Sequence, residues 1–357
     1  MEELNLTAVI PKVSVFLKKT QLINENGMAG KVAVIGAFDT TETEPKLFMT
    51  VGEAQSTFGD DTTYDGCAVI PYLFAGASSL LAVNITTESG SPAVRDKTIT
   101  TSNLTAALTK IKNEDWDILF VAGALTDSFI PIVNAAVEER FQMQYPCGYV
   151  GALAGASTAA NVTSAGLCDD FCYGLITQQF TLADDSTVKS LLVSAAYYCG
   201  VIAGMNVGNT MTMKPVPNVV GVTPELSFEN AGDGKSLLEA GITTIRCADR
   251  LNNKYIVVNS EQPNGLDLYI NRTRDYVVKQ FALQEFLGER NNDVTIDEIE
   301  QELARVEDMC VNSLALLEDI KYTVKKENPT TVGITVDSLV FDGIITQINV
   351  YVRVEVE

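Results

Sequence analysis

An α/β fold, mostly parallel in its first part and mixed α+β in its second, is predicted by three observations. Short apolar runs, among them Lys31–Gly36, Leu80–Ile85 and Trp116–Ala122, alternate with helix-patterned segments up to Met205, the pattern of a sheet covered by helices. A stretch rich in Gly, Pro, Asn and Thr at 206–235 breaks that rhythm, and two long helices with short strands follow. Strand-like stretches at 4–17 and 344–356 flank the whole. The predicted organisation is an N-terminal arm and linker (1–30), an α/β region (31–210), a smaller mixed-sheet domain with two long helices (211–342) and a C-terminal strand arm (343–357).

The first stretch, Leu4-Asn5-Leu6-Thr7-Ala8-Val9-Ile10-Pro11-Lys12-Val13-Ser14-Val15-Phe16-Leu17, is extended and apolar. Pro11 keeps it out of the centre of a sheet. Lys18–Gly30 is polar and linker-like. Lys31–Gly36 reads as a buried strand, Val51–Phe58 as a helix ended by Gly59, and Tyr64–Gly76 as a helix kinked or broken at Pro71. Leu80–Ile85 is a strand, 87–98 a loop, Asn103–Asn113 an amphipathic helix and Trp116–Ala122 a strand. Asp127–Tyr145 carries Ile130, Val133, Val137 and Phe141 at helical spacing. Pro146–Ala152 is a strand, Ser157–Ala165 a helix and Leu175–Phe180 a strand. A helix over Ser186–Met205 follows, with Asp184-Asp185-Ser186 as its cap.

Beyond the break come a helix at Ser236–Ala240, strands at Thr244–Cys247 and Tyr255–Asn259, and a long helix at Asn271–Leu287. A second long helix opens with a capping box, Thr295 with Glu298. Ile296, Ile299, Leu303, Val306, Cys310, Leu314 and Leu317 form its core face; Asp297, Glu300, Glu302, Glu307 and Asp308 form a solvated one. Val332–Phe341 and the stretch from Ile344 complete a small sheet. In that last stretch Ile344, Ile348, Val350, Val352, Val354 and Val356 alternate with polar or amphipathic Gln347, Asn349, Tyr351, Arg353, Glu355 and Glu357. Period two marks a strand with one buried face. It either completes its own domain's sheet or is donated to a neighbouring subunit.

Composition narrows the function. With 25 Lys+Arg against 46 Asp+Glu, the net charge of −21 disfavours phosphate backbones and anionic lipid. The 357 residues contain no His, which removes the usual Ser-His-Asp and Cys-His catalysis and the commonest metal ligand. The seven Cys are scattered and read as small buried hydrophobes of a reduced compartment. Cys168 and Cys172 form a C-x3-C pair that nothing completes into a metal site. Met1-Glu2-Glu3 lacks the basic start of a signal peptide, and the apolar run Leu191–Met205 is too short for a bilayer span.

Nucleotide motifs fail on spacing. Gly232-Asp233-Gly234-Lys235-Ser236 resembles the end of a phosphate loop, but Glu229 stands where Gly is needed. It reads as a turn capping the Ser236 helix. Gly148, Gly151 and Gly155 are not G-x-G-x-x-G and read as close packing of a helix on the sheet. Arg272 and Arg274, beside Asp275 near a helix start, are ill placed against the helix dipole unless partners hold them. With Arg353 they are candidates for inter-subunit salt bridges.

One segment is distinctive: Ala203-Gly204-Met205-Asn206-Val207-Gly208-Asn209-Thr210-Met211-Thr212-Met213-Lys214-Pro215-Val216-Pro217-Asn218-Val219-Val220-Gly221-Val222. A helix end, a spacer, a Lys/Pro turn and Asn-x-x-Gly-Val resemble the signature of contractile tail sheath proteins. Leu237-Leu238-Glu239-Ala240-Gly241-Ile242-Thr243-Thr244-Ile245-Arg246 resembles the family's next landmark, with Thr243 where Asn is usual. The helix from Asn271 and the apolar strand from Ile344 are similar too. The resemblance covers about 194–357 in detail and 1–190 in pattern only. The only Trp is Trp116, so the family's Trp-containing signatures are missing.

The resemblance implies that 31–210 is an outer region and 211–342 an inner domain facing a tube. It implies arms that add strands to neighbours' sheets, through Ile344, Ile348, Val350, Val352, Val354 and Val356 at one end and Leu6, Val9, Val13 and Val15 at the other. It implies stacked hexameric rings of this chain around an inner tail tube, contracting to drive the tube through a cell envelope. Baseplate and tail terminator proteins would be further partners. No cofactor, metal, catalytic residue, nucleic acid or membrane insertion is implied. The setting would be a virion tail or tailocin-like particle made in the host cytoplasm. The rival readings are a cytoplasmic α/β enzyme and another virion structural protein; a tube protein should be smaller and dominated by strands.

Overall fold

The structure, a computed structural model, describes residues 30–89, 94–143, 145–229, 232–249, 254–282, 286, 291–328 and 331–341. The stretches 4–17 and 344–356 lie outside these residues. In chain order the strands are β1 (Lys31–Gly36), β2 (Lys46–Phe48), β3 (Ser79–Asn84), β4 (Thr87–Ser89), β5 (Val94–Asp96), β6 (Ile118–Ala124), β7 (Gly148–Ala152), β8 (Cys172–Ile176), β9 (Gln179–Leu182), β10 (Asp185–Val188), β11 (Val219–Thr223), β12 (Ile245–Asp249), β13 (Lys254–Val257), β14 (Asp319–Asn328) and β15 (Thr331–Val340). The helices are α1 (Val51–Phe58), α2 (Asp65–Leu73), α3 (Thr101–Ile111), α4 (Ile130–Gln142), α5 (Thr158–Ala165), α6 (Leu191–Ala203), α7 (Asp233–Glu239), α8 (Leu268–Phe281) and α9 (Asp293–Asp308).

The main sheet has the order β2-β3-β1-β6-β7-β8. Every pair in it is parallel except β2 with β3. Its inner strands are apolar between their ends because both faces are covered: β3 and β7 have no exposed residue. The fold is therefore α/β with a parallel-rich sheet, joined by smaller sheets β10-β9-β11, β12-β13, β14-β15 and β4-β5.

Local rules account for most helix ends. Thr50 caps α1 by accepting from Glu53 N–H, and Gly59 leaves the helix at φ 84, where a glycine meets no steric cost. Thr100 and Asn103 form a capping box on α3. The helices α2 and α6 pack on one another through glycines. A Cβ on Gly200 would lie 2.4 Å from the Tyr72 carbonyl oxygen, and one on Gly76 would lie 2.4 Å from that of Gly200.

Several elements differ from the sequence reading. The acids at 184–186 do not cap a helix; Asp185 starts β10, and Ser190 caps α6. The run 175–180 is two strands, β8 and β9, because Gln178 turns inward between them. It donates to Pro224 and Ile245 carbonyls at 2.9 and 3.0 Å and accepts from Ile245 N–H at 2.7 Å. The 87–98 loop contains β4 and β5. The α8 helix starts at Leu268 rather than Asn271. The α9 cap is Asn292, and Thr295 supplies the N–H it accepts. The helix gives way to a single π turn at Met309–Ser313, so Leu314 and Leu317 follow the helix rather than continue its face. Gly148 and Gly151 make room for the side chains of Tyr173 and Leu125, not for a helix.

Among the described residues two hydrophobic cores result. The larger runs from β1 through Leu268; the smaller holds Val207, Val277, Phe281, Ile299, Leu303, Val306, Cys310, Leu316, Leu317 and Ile320. Leu303 is 0% exposed in the smaller core. Leu303→Ala is expected to cost about 2–5 kcal/mol in denaturant unfolding; a change within about 0.5 kcal/mol is surface behaviour and would misplace the helix face.

Candidate functional site

The helix α8 spans both cores: Leu268 lies in the larger, Val277 and Phe281 in the smaller. A stripe of polar groups fixes it to the rest of the chain. At its cap, Asp267 Oδ1 accepts from Tyr269 N–H at 3.0 Å, while Oδ2 takes hydroxyls of Ser260, Thr212 and Thr210 at 2.6, 2.8 and 3.1 Å. Arg272 donates to the Met205 and Asn206 carbonyls at 3.0 and 3.5 Å. Asp275 accepts from Tyr173 Oη at 2.6 Å and Arg274 Nε at 2.8 Å. Burial pushes the Asp275 carboxyl above the usual range, against the pull of Arg274. Lys279 meets Asp117 at 2.9 Å and Asp115 at 3.3 Å, and Lys31 pairs with Asp115 as well.

The distinctive segment 203–222 is thereby explained as a strap. Its carbonyls at Met205, Asn206 and Val207 receive Arg272 and Thr273, and its hydroxyls at Thr210 and Thr212 seat the α8 cap. Met213 N–H donates to Val257 and Val216 N–H to Tyr255, so the strap runs beside β13. Met213 and Asn218 turn it at φ 58 and 56 before β11 joins β9.

Arg272 is thus 2% exposed, one turn deeper in the helix than the sequence reading placed it. Arg274 is bonded to Asp275 and to the Asp170 carbonyl and lies over the Phe171 ring. Both guanidiniums are engaged within their own chain. Arg353 and the strand residues Leu6, Val9, Val13, Val15, Ile344, Ile348, Val350, Val352, Val354 and Val356 lie outside the described residues. Sequence reasoning missed Asp267, Tyr173, Asp117 and Lys279; only Asp267, an acid just ahead of Leu268, carried a legible capping signal.

The acid and base of the Lys279 joint bracket its pH range. Burial raises the Asp115 carboxyl, but Lys279 and Lys31 outweigh it and the net shift is below its ordinary 3.8. Burial lowers Lys279, and Asp117 and Asp115 outweigh that, leaving it above its ordinary 10.5. A depressed acid contributes stability above its unfolded value and loses it as pH falls through the folded one; a raised base contributes below its unfolded value and loses it as pH rises. The joint should therefore be constant between 3.8 and 10.5. Lys279→Met is expected to cost about 1–3 kcal/mol at pH 7 in urea titration. An unchanged midpoint would show that the joint adds nothing.

The second feature is the β14–β15 hairpin. Its strands pair antiparallel from Asp319↔Val340 to Asn328↔Thr331, with two register shifts. Ile320, Tyr322, Val324, Val332, Ile334, Val336 and Leu339 pack toward the smaller core, but Val332, Ile334 and Val336 are only half-buried. Lys321, Thr323, Lys325, Thr335 and Asp337 are exposed, and Thr323 donates to Asp337 at 2.7 Å. Among the described residues the hairpin is a sheet of two strands. Each therefore has an outer edge facing no further strand, the backbone template that strand addition uses.

No family model matches the sequence, and no curated protein matches it either. Solved structures do. A sheath tail protein from Desulfitobacterium hafniense has a TM-score of 0.68 at 13% identity, covering 89% of this chain and 94% of that one. A sheath tail protein from Listeria innocua gives 0.61 at 13% identity, with 87% and 95% covered. A chain of the anti-feeding prophage helical sheath in its contracted state gives 0.62 at 11% identity, with 89% and 92% covered. The chain has the fold of the contractile tail sheath proteins.

Proposed function

We propose that the chain is a structural subunit of a contractile tail sheath, with no catalytic step. The observation that carries this is the hairpin. In a chain with the sheath fold, β14 and β15 pair only with each other among the described residues and carry a half-covered apolar face. The same sequence holds two further strand-like stretches, 4–17 and 344–356. Copies of this chain form hexameric rings, stacked helically around an inner tube. Residues 344–356 of one neighbour and 4–17 of another add strands to the hairpin, and Ile348, Val350, Val352 and Val354 extend its apolar face. Residues 31–210 belong to the outer region and 211–342 to the inner domain, with the larger core reaching past that boundary to Leu268; 1–30 and 343–357 are the arms.

Contraction follows from connectivity. Strand joints keep neighbours linked while whole subunits rotate from a metastable lattice into a better-packed one, a rigid-body rearrangement. The polar stripe on α8 suits this, since it makes the hairpin-bearing core turn with the larger core. The tube, a baseplate and a tail terminator are the other partners, in a virion tail or tailocin-like particle assembled in the host cytoplasm. Negative-stain imaging of the purified chain is the test. Hollow helical cylinders are expected; a monomer or closed ring at all concentrations would overturn the reading.

A further inference from the structure

The chain enters its fold beside an open groove. Lys31 N–H donates to Asp117 Oδ2 at 3.1 Å, Asp117 N–H donates to the Lys31 carbonyl at 2.9 Å, and the Lys31 side chain pairs with Asp115. Trp116, between those two acids, lines a cavity of about 390 Å³ between α3 and α4. Leu108, Ile132, Ala135 and Ala136 line it too, and buried Arg140 joins Trp116 at its base. The donors at the base bond backbone carbonyls: Trp116 Nε1 that of Ile111 at 2.9 Å, and Arg140 Nη1 those of Lys112 and Glu114 at 2.6 and 2.8 Å. The guanidinium carbon lies 3.9 Å from the Trp116 ring centre. The groove therefore offers mainly apolar surface, and its rim charges, Lys112 and Glu139, pair with each other.

We propose that in the unassembled subunit this groove takes residues 4–17 of the same chain. Reach, composition and concentration select that occupant. The tether, 18–29, spans at most about 40 Å when extended, and it joins the fold next to Lys31, which is bonded to both neighbours of Trp116. Lys12 is the only charged residue in 4–17, so the segment enters an apolar groove without taking a carboxylate out of water. A second whole subunit brings the same net charge of −21 and is repelled. A tether this short sets an effective concentration on the order of mM, so a contact too weak for a free partner is still occupied within the chain. A cavity of this size takes a few side chains, and Val15, Phe16 and Leu17 stand next to the tether. The consequence rests on the sheath reading: the arm is withheld from a neighbour's hairpin until strand addition, with its main-chain hydrogen bonds, outcompetes the groove.

The test places a photo-crosslinking benzophenone side chain at Phe16 of the full chain and, in a second protein, at Ala135, which is exposed on α4. Each is irradiated in dilute solution and mapped by mass spectrometry. From Phe16 the expected crosslink falls on α3 or α4 of the same chain; from Ala135 it falls within residues 4–17. Ala135→Glu, which sets a charge in the groove, should lower the yield from Phe16 at least ~5-fold. Crosslinks that fall elsewhere in the chain or only between chains, or a yield that Ala135→Glu leaves unchanged, would overturn the proposal. The two placements do not share a substituted position, so a fault in one protein leaves the other to decide. A chain that gives these crosslinks but no cylinders at any concentration ends the sheath reading and leaves the docked arm standing; cylinders from a chain without them do the reverse.

Discussion

Val352→Asp is expected to yield a folded subunit that forms no cylinders. In the proposed assembly Val352 faces the apolar side of a neighbour's hairpin, between Val350 and Val354 in the same alternation. Burying one such side chain contributes roughly 1.5–3 kcal/mol. An unpaired carboxylate in its place removes that and adds a desolvation cost of its own. Arg353→Asp, on the other face, should be milder, because an exposed charge loses little when its partner changes. Sedimentation reads assembly, and circular dichroism reads the fold. Cylinders that survive deletion of 344–357 would mean that the stretch is no connector. Unfolding of the isolated subunit on the same deletion would assign the strand to its own domain.

Gly200→Val is expected to abolish the folded state or cost about 3 kcal/mol or more, at the upper end for overpacking. A Cβ there would lie 2.4 and 2.6 Å from the Tyr72 and Leu73 carbonyl oxygens. Both are backbone atoms of α2, so relief requires moving the helix. That helix and α6 pack against β6 and each other, and the shift would spread through the larger core. Gly52→Ala is the control: a Cβ at Gly52 in α1 meets nothing within 4 Å. There the helix preference of Ala should leave stability unchanged or raise it by about 0.5 kcal/mol. Thermal melts of the two variants separate the readings. A Gly200→Val protein that melts like the wild type would contradict the packing of α2 on α6.

The elements that local chemistry specifies were legible in the sequence. The helix at Val51–Phe58 was bounded by Gly59, and the structure gives the same bounds. The β1 strand, with an uninterrupted apolar run between Lys31 and Gly36, was read at its observed length. Buried parallel strands and capped helices carry their signals within a few residues. The β14 strand was not legible. Its residues Lys321, Thr323, Lys325, Lys326 and Glu327 are exposed, so a half-covered hairpin left too few apolar positions to mark a period. The α9 start was misread because its first turn, Asp293 and Val294, is exposed, and the apolar face begins only later.

The α8 seam lay further out of reach. Tyr173 and Asp275 are 102 positions apart, and Lys279 and Asp117 are 162 apart. No local pattern pairs such residues; each is polar and reads alone as surface. Only the packing of α8 across β8 and the ends of β1 and β6 removes them from water, and burial makes a partner obligatory. Local pattern was enough for the alternation of strands and helices up to Met205 and for the strap whose landmarks resemble a sheath signature, but the larger core runs on past 206–235 to Leu268. Only the packed fold brings Arg272 and Arg274 to partners within the chain and, among the described residues, leaves β14 and β15 as a sheet of two strands. These depend on which surfaces the rest of the chain covers, and coverage is a property of the whole fold rather than of any segment.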